Sequence, residues 1–443
     1  PNPNWNNMED DVGKVITEKT GVKLKASFGT GDDGQADKTA LFAASGDYPD
    51  LIAPKGSLSK MVDAGAMVDL EPLINKYAPN IKKVIGPYMD RLRYSKEDKS
   101  IYVIPNLNTV DNTYFDAGGG FQLQHAVVKE LGYPEIKTVK DFENAIKAYK
   151  EKHPTIDGKP TIGMSVIGSD WHMLITVTNN AFYTTGAPDD GEYYIDPDTL
   201  EATFHYLRSE EREYFRWLNH MNDIGLLDPE SFTQTFEQYQ AKIASGRVLG
   251  LADQQYDISG PENTLKSEGK FDRLYGHYPV VLDEKYKRRD FQDAGFAAGW
   301  GVGITKDCKD PVKAIRFLDF LASDEGQVLT NWGIKGKHYK VVDDKRVIPD
   351  DIQKEKNNNN AAFTKKSGIG NYNLSVRYGD GVKDPTGNYY TTNDPKSVIE
   401  NYPDTAKEVL KHYHAKTWKD LFPKEDEFPV KPWGQAYNIS VPE

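Results

Sequence analysis

What most constrains the fold of this chain is the reach of its apolar segments against its length. The 443 residues exceed the roughly 250 to 300 that one hydrophobic core can organise, so the chain must divide into at least two compact bodies. Hydrophobic residues make up 38% and charged residues 28%, enough apolar material for two cores in a soluble globular protein. No apolar run approaches the ~18 residues needed to cross a bilayer. The chain begins at Pro1 with no charged-then-apolar leader, the expectation for an exported chain whose signal has been removed.

Local patterning assigns an α/β architecture. A helix is expected over 11–20, a strand over Val22–Phe28, a helix over Gln35–Ala44 and a strand over Leu51–Ala53 bounded by Pro49 and Pro54, a β-α-β unit implying a parallel sheet. Later helices show apolar residues at helical spacing: Phe142, Ile146 and Tyr149 over 140–151, and Tyr214, Trp217, Leu218 and Met221 over 210–224. Such stripes form core. Asp310-Pro311 caps and opens a helix through Leu321, and Ser323 restarts a shorter one ending at Gly333. From 354 to 400, KEKNNNN and a Gly-, Asn-, Tyr- and Asp-rich tract carry no sustained period and read as loops. No fixed-period repeat is present, which sets aside solenoids and propellers.

Several functions lose their footing at the residue level. A net charge of -12 opposes a phosphate backbone, so no nucleic-acid partner is expected. The single cysteine, Cys308, allows no internal disulfide and no Cys-rich metal site, and reads as a buried small side chain. Gly29-Thr30-Gly31-Asp32-Asp33-Gly34, with Asp47 and Asp50 beyond it, has dinucleotide-fingerprint spacing. That fingerprint offers bare N–H groups to a pyrophosphate, and Asp32-Asp33 would set two negative charges beside it. H-E-x-x-H is absent, and Gly163-Met164-Ser165-Val166-Ile167 lacks the final glycine of a nucleophile elbow. His412 and His414 point to different faces of a helix and read as solvated. No motif calls for a cofactor or a metal. Paired carboxylates of a glycosidase need only meet in space, so 67 acidic residues leave that alternative open.

Aromatic residues reach 12%, with 26 Tyr and 7 Trp, and Asn and Gln are frequent in the segments read as loops. A sugar pocket needs this mixture, because the C–H face of a pyranose stacks on a ring while its hydroxyls take amides and carboxylates.

Ordered segments of the chain resemble the extracellular solute-binding proteins of carbohydrate ABC importers, particularly the LplA-like and alginate-oligosaccharide-binding subgroup. They are Ala43-Ala44-Ser45-Gly46-Asp47-Tyr48-Pro49-Asp50, Lys99 to Pro105, Gly132-Tyr133-Pro134 with Lys140-Asp141-Phe142, and Gly299 to Thr305 followed by Asp310-Pro311, Asp324-Glu325-Gly326 and Asn331-Trp332-Gly333. The resemblance implies a two-lobed periplasmic-binding-protein-like fold (type II), each lobe a mostly parallel sheet flanked by helices, with the ligand in the cleft between. Its lobes would be discontinuous, 1–112 with 292–338 and 113–291 with 339–443. It further implies a non-enzymatic, probe-like capture of an oligosaccharide for the permease subunits of an ABC transporter. The chain would work as a monomer, outside the cytoplasm, as a Gram-positive lipoprotein anchored upstream of Pro1 or as a periplasmic protein. A secreted glycosidase, or a binder of a peptide, metal chelate or polyamine, is the alternative. Where alginate binders carry a calcium loop this chain has His153-Pro154-Thr155-Ile156-Asp157-Gly158, so no metal is carried over.

Placed by that pattern, the first lobe presents Trp5, Asn6, Lys55, Asn106 and Asn108 to the ligand, and Trp300 stands at the return crossover. The second presents Asp170, Trp171, His172, Asp253, Gln255, Tyr256, Tyr372 and Arg377. Trp171, Trp300 and Tyr256 are the expected stacking platforms, and Asp253, Gln255, His172 and Arg377 the expected polar contacts.

Overall fold

The computed structural model describes residues 5–29, 34–106, 108–110, 113–188, 193–296 and 300–431. The chain forms two compact units: the first runs to Thr113 and resumes over Ala294–Asp394, the second comprises Tyr114–Asp293 and Pro395–Lys431. Both crossovers lie within two residues of those expected. The last boundary differs, because residues 339–394 pack with the first unit rather than the second. Polar groups hold that tract: Tyr372 donates its hydroxyl to Asp10 at 2.6 Å, the Trp332 indole donates to the carbonyl of Tyr389 at 3.1 Å, and Arg346 pairs with Asp384.

In the first unit, Asp10 caps the helix Asp11–Thr20 by accepting the Gly13 N–H at 2.6 Å. Val12 and Ile16 of that helix enter a core with Ile74, Ile81, Ile315 and Leu318. The helix Pro311–Ala322 starts on the Asp310 cap, and Ser323 caps the next, Asp324–Trp332. Two expectations fail here. Val22–Phe28 joins no strand ladder, and Leu51–Ile52 pairs antiparallel with Gly303–Ile304 instead of in parallel. Within the tract read as loops, Asp350–Asn358, Asn360–Ser367 and Pro395–Asn401 are helical. These helices bury almost no apolar stripe, Phe363 being the exception, so they leave no periodic trace.

The second unit is built on a four-stranded sheet ordered Tyr275–Tyr278, Gly119–Gln124, Val248–Gln254, Ile162–Met164. The first two pairings are antiparallel and the last is parallel, so this sheet is mixed where a mostly parallel one was expected. The helices Val139–Lys152 and Ser209–Asp223 bring Phe142, Ile146, Tyr214 and Trp217 into one core with Phe121 and Leu249. Tyr239, Ile243 and Ile258 form a second core with Val248 and Leu251. Strands covered on both faces read as continuous apolar runs whose direction the sequence does not disclose. His153–Gly158 leads into a hairpin, Thr155–Ile156 against Lys159–Pro160. Its two central residues, Asp157 and Gly158, both have positive φ, 51° and 76°, as a two-residue turn requires.

Cys308 is buried. His412 is exposed, as its spacing suggested, and stacks one face on Tyr133 with centroids 3.7 Å apart. Two further histidines are sealed inside the second unit. Burial pushes His125 down to about 3, with the charge of His277 adding to the effect, and pushes His277 down to about 4. An unfolded imidazole takes its proton near 6.5, so the unfolded state binds more protons and stability is lost as pH falls from there through the folded values. The stability difference between the native chain and His277→Gln, followed by urea titration, should therefore shrink by on the order of 3 kcal/mol between about pH 6.5 and pH 4.

Candidate functional site

The second unit gathers its predicted polar and aromatic residues at one end of its sheet. Ile162–Met164 and Val248–Gln254 run parallel, and at their carboxyl ends the chain enters two helical segments. A loop carries Asp170, Trp171 and His172 ahead of Leu174–Thr178; the other strand ends in Asp253 and Gln254 and passes directly into the helix Gln255–Ser267. Carboxyl ends of parallel strands are where α/β sheets place ligand sites, because helix N-termini and loop side chains converge there.

At the centre is a stack of three rings. His172 lies between Trp171, 3.9 Å away, and Phe236, 4.0 Å away, nearly parallel to both. His172 is 4% exposed and Trp171 43%, so the indole is the ring that meets solvent. The Asp170 carboxylate accepts from the His172 backbone N–H at 2.8 Å and lies 2.7 Å from its Nδ1. On the other side of the imidazole, Nε2 stands 3.7 Å from Asp257 Oδ1. Asp257 stands close enough to Asp253 for the two carboxyls to act on each other, and Tyr239 donates its hydroxyl to Asp253 Oδ2 at 2.6 Å. Burial, then the charge of Asp257, holds the Asp253 carboxyl far above the usual carboxylate range, against the opposing pull of the Tyr239 hydroxyl; burial raises Asp257 as well. Phe232, 51% exposed, flanks the same end. Its Cδ1 lies 2.3 Å from where a Cβ on Gly168 would stand, so glycine is required there for the ring to sit down.

The structure thus joins Asp170, Trp171, His172 and Asp253 in one network and places Tyr256, 60% exposed, one residue before Asp257. Gln255 is committed inward, donating to Glu262 at 2.7 Å. Sequence reasoning missed Phe236, Tyr239 and Asp257. Phe236 and Tyr239 lie on the helix Phe236–Ala244, which the sequence reading did not single out, and the adjacency of Asp257 to the Asp253–Tyr256 segment was the one available signal.

In the first unit, Trp300 is 46% exposed and has φ 31°, a left-handed conformation that a bulky residue adopts only when its surroundings enforce it. Lys55, also left-handed at φ 47°, sets its Nζ 5.1 Å from the Trp300 ring, within reach of a cation–π attraction. Trp5 packs edge-on against Phe28 and Tyr372. Asn6 donates to the Lys365 carbonyl at 2.7 Å, and Asn106 to that of Asn373 at 3.3 Å. Tyr372 is buried and committed to Asp10, as described, and with Arg377 of the short strand Arg377–Tyr378 it belongs to this unit rather than the second. Asn108 lies on the strand Asn108–Val110, and its side chain is outside the described residues. So are Thr30 to Asp33 of the glycine-rich segment.

Residues 6–328 match the family described as bacterial extracellular solute-binding protein. Lipoprotein LipO of Bacillus subtilis is 22% identical over 408 residues, covering 89% of this chain and 74% of the relative. The fructooligosaccharide ABC transporter substrate-binding protein FusA of Streptococcus pneumoniae is 25% identical over 320 residues, covering 68% of this chain and 56% of the relative. Among solved structures, FusA in complex with kestose superimposes with a TM-score of 0.64 at 19% identity, over 96% of this chain and 85% of that one. The alginate-binding protein AlgQ2 without calcium ion gives 0.59 at 20% identity, over 98% and 91%. At these identities the structures establish the fold.

At the amino ends of the same two parallel strands lies a cavity of about 330 Å³, lined by Lys150, Gly163, Asp228, Glu230, Lys242 and Arg247 among others. Its cations are engaged: Lys242 bridges Asp228 at 2.7 Å and Glu230 at 2.6 Å, and Lys150 donates to the Gly225 carbonyl at 2.8 Å. Ser165 is fully buried and donates to Asp228 at 2.8 Å, so the serine of the elbow-like segment is a structural hydroxyl. Lys242→Ala, leaving Asp228 buried without its cation, should cost about 3 to 5 kcal/mol of unfolding free energy in a denaturant titration.

Proposed function

Because the chain belongs to the bacterial extracellular solute-binding proteins, we propose that it captures an oligosaccharide outside the cytoplasm and delivers it to the membrane permease of an ABC transporter without chemical turnover. The observation that carries this reading is the Trp171–His172–Phe236 stack, an exposed indole on a buried, hydrogen-bonded base. A ring presented in this way offers a flat apolar surface to a sugar face, while carboxylates and amides beside it suit hydroxyl groups. Relatives named for fructooligosaccharide and alginate binding support a saccharide over a peptide or polyamine.

Trp171 on the second unit and Trp300 on the first are the proposed stacking platforms, with Tyr256 a third. Lys55, Asp170 and His172 are their polar neighbours. The chain works as a monomer at the cell surface, held there as a lipoprotein or free in a periplasm.

The buried carboxyl pair is the one feature that favours a glycosidase, since it holds an acid beside a carboxylate. Burial supports binding instead: Asp253 is 1% exposed and Asp257 5%, so neither carboxyl is presented to a glycosidic bond, as both carboxyls of a glycosidase are.

Calorimetry against plant-cell-wall, host-glycan and uronate-containing oligosaccharides should give saturable binding to at least one, with no release of new reducing ends on prolonged incubation. Absence of heat and of thermal shift across the panel would remove the saccharide assignment, and turnover would install the glycosidase. Trp171→Ala and Trp300→Ala, tested separately because each stands on its own unit, should each weaken binding by about 1 kcal/mol or more, roughly fivefold in Kd.

A further inference from the structure

The ring stack and the carboxyl pair are parts of one device. Asp253 accepts the Gln254 N–H at 2.7 Å through Oδ1 and the Tyr239 hydroxyl at 2.6 Å through Oδ2. It is 1% exposed, and Asp257 5%. Two neighbouring carboxylates at that depth repel strongly if both ionise, so the pair retains one proton. Asp257 Oδ2 receives no N–H or hydroxyl bond, which leaves it as the acceptor for that proton, while Oδ1 of the same carboxylate faces His172 Nε2 across 3.7 Å.

We propose that His172 is a positioning residue for the Trp171 platform and acts through the Asp253–Asp257 pair, so that release of the pair's single proton disturbs the ring stack and weakens ligand capture. The claim of weakened capture rests on the reading that Trp171 meets the ligand; the positioning claim does not. When the proton leaves, Asp253 repels Asp257, and the 3.7 Å gap to Nε2 is the direction in which the carboxylate can move. Closing it turns an imidazole that is held on its far side by Asp170 and gripped between Trp171 and Phe236. Among the described residues, the indole has no other ring contact to keep it in place.

The groups facing the pair come from every neighbouring element. Asp170 and His172 lie on the loop before Leu174–Thr178, Glu237 and Tyr239 on the helix Phe236–Ala244, and Tyr275 on the strand Tyr275–Tyr278, reaching the pair through Tyr239. Glu237 acts on Asp170 and His172. Gln122 donates to the Asp253 carbonyl at 2.8 Å. Among the described residues, neither carboxyl forms an ion pair with an arginine or lysine; His172 is the basic side chain that faces Asp257.

The test has two arms. In ligand-free protein, the Trp171 contribution to fluorescence, taken as the difference between the native chain and Trp171→Phe, is followed from about pH 5 to pH 9. A single step is expected. Asp257→Asn, which removes the charge that an ionised Asp253 would repel, should abolish it. Tyr239→Phe should move its midpoint to higher pH, because the hydroxyl bond to Asp253 favours the ionised form. A purely structural role for Tyr239 would change the amplitude or the stability and leave the midpoint alone. In the second arm, calorimetry with whichever panel oligosaccharide binds should show Kd rising about threefold or more across the step in the native chain and flat in Asp257→Asn.

A native Trp171 signal without a step, or a step that persists in Asp257→Asn, overturns the positioning claim. A step without any change in Kd overturns the link to capture. If no oligosaccharide binds at any pH, the saccharide reading fails while the first arm still decides whether His172 positions the indole.

Discussion

The parallel pairing of Ile162–Met164 with Val248–Gln254 is the constraint on which the candidate site of the second unit depends. Two parallel strands end side by side, so the segments that follow them are neighbours although the paired residues, Ile162 with Val248 and Met164 with Gly250, lie 86 positions apart. Each leads into a helix. The polar side chains on them therefore meet over two helix N-termini, where backbone N–H groups stabilise carboxylates. His172 and Gln254 use their backbone N–H groups in this way, on Asp170 and Asp253.

That same pairing is supported from below. Ser165, Asp228, Gln234 and Lys242 form a buried network beyond the strand Ile162–Met164, and Thr176 closes the Ile167 backbone by accepting its N–H at 3.0 Å and donating to its carbonyl at 2.9 Å. Most of the polar atoms drawn inside find a partner, Gln234 Oε1 being an exception, and these bonds fix the backbone at the strand ends within narrow limits. Rigid segments there let an aromatic ring be displayed at the surface rather than collapse onto it. In the first unit the display of Trp300 rests on another device: a left-handed backbone at Trp300 itself and a lysine against the ring.

Much of the fold was legible wherever an apolar stripe or a cap left a local mark. The helices Asp11–Thr20, Val139–Lys152, Ser209–Asp223, Pro311–Ala322 and Asp324–Trp332 coincide with the expected ones to within about a residue or two. The helices of the tract after Val347 escaped because Asn and Lys dominate their faces. Strand direction escaped for a different reason: hydrogen-bond partners lie far along the chain, as Leu51 does from Ile304, and alternation or its absence reports burial and says nothing of a partner's polarity. Assignment of 339–394 to the first unit was equally invisible, since it turns on bonds such as Tyr372 to Asp10, 362 positions apart.

By itself the sequence determined that the chain must divide, where its capped and striped helices lie, and which ordered segments tie it to solute-binding proteins. It also nominated the tryptophans and the Asp170–His172 and Asp253–Tyr256 segments. Only the tertiary structure decided that those two segments share one network, that Phe236, Tyr239 and Asp257 complete it, and that Gln255 and Tyr372 spend their polar atoms internally. The reason is physical: propensities, caps and amphipathic stripes are set by residues within a few turns of one another, whereas a shared proton or a stacked ring depends on distances between segments that only folding brings together.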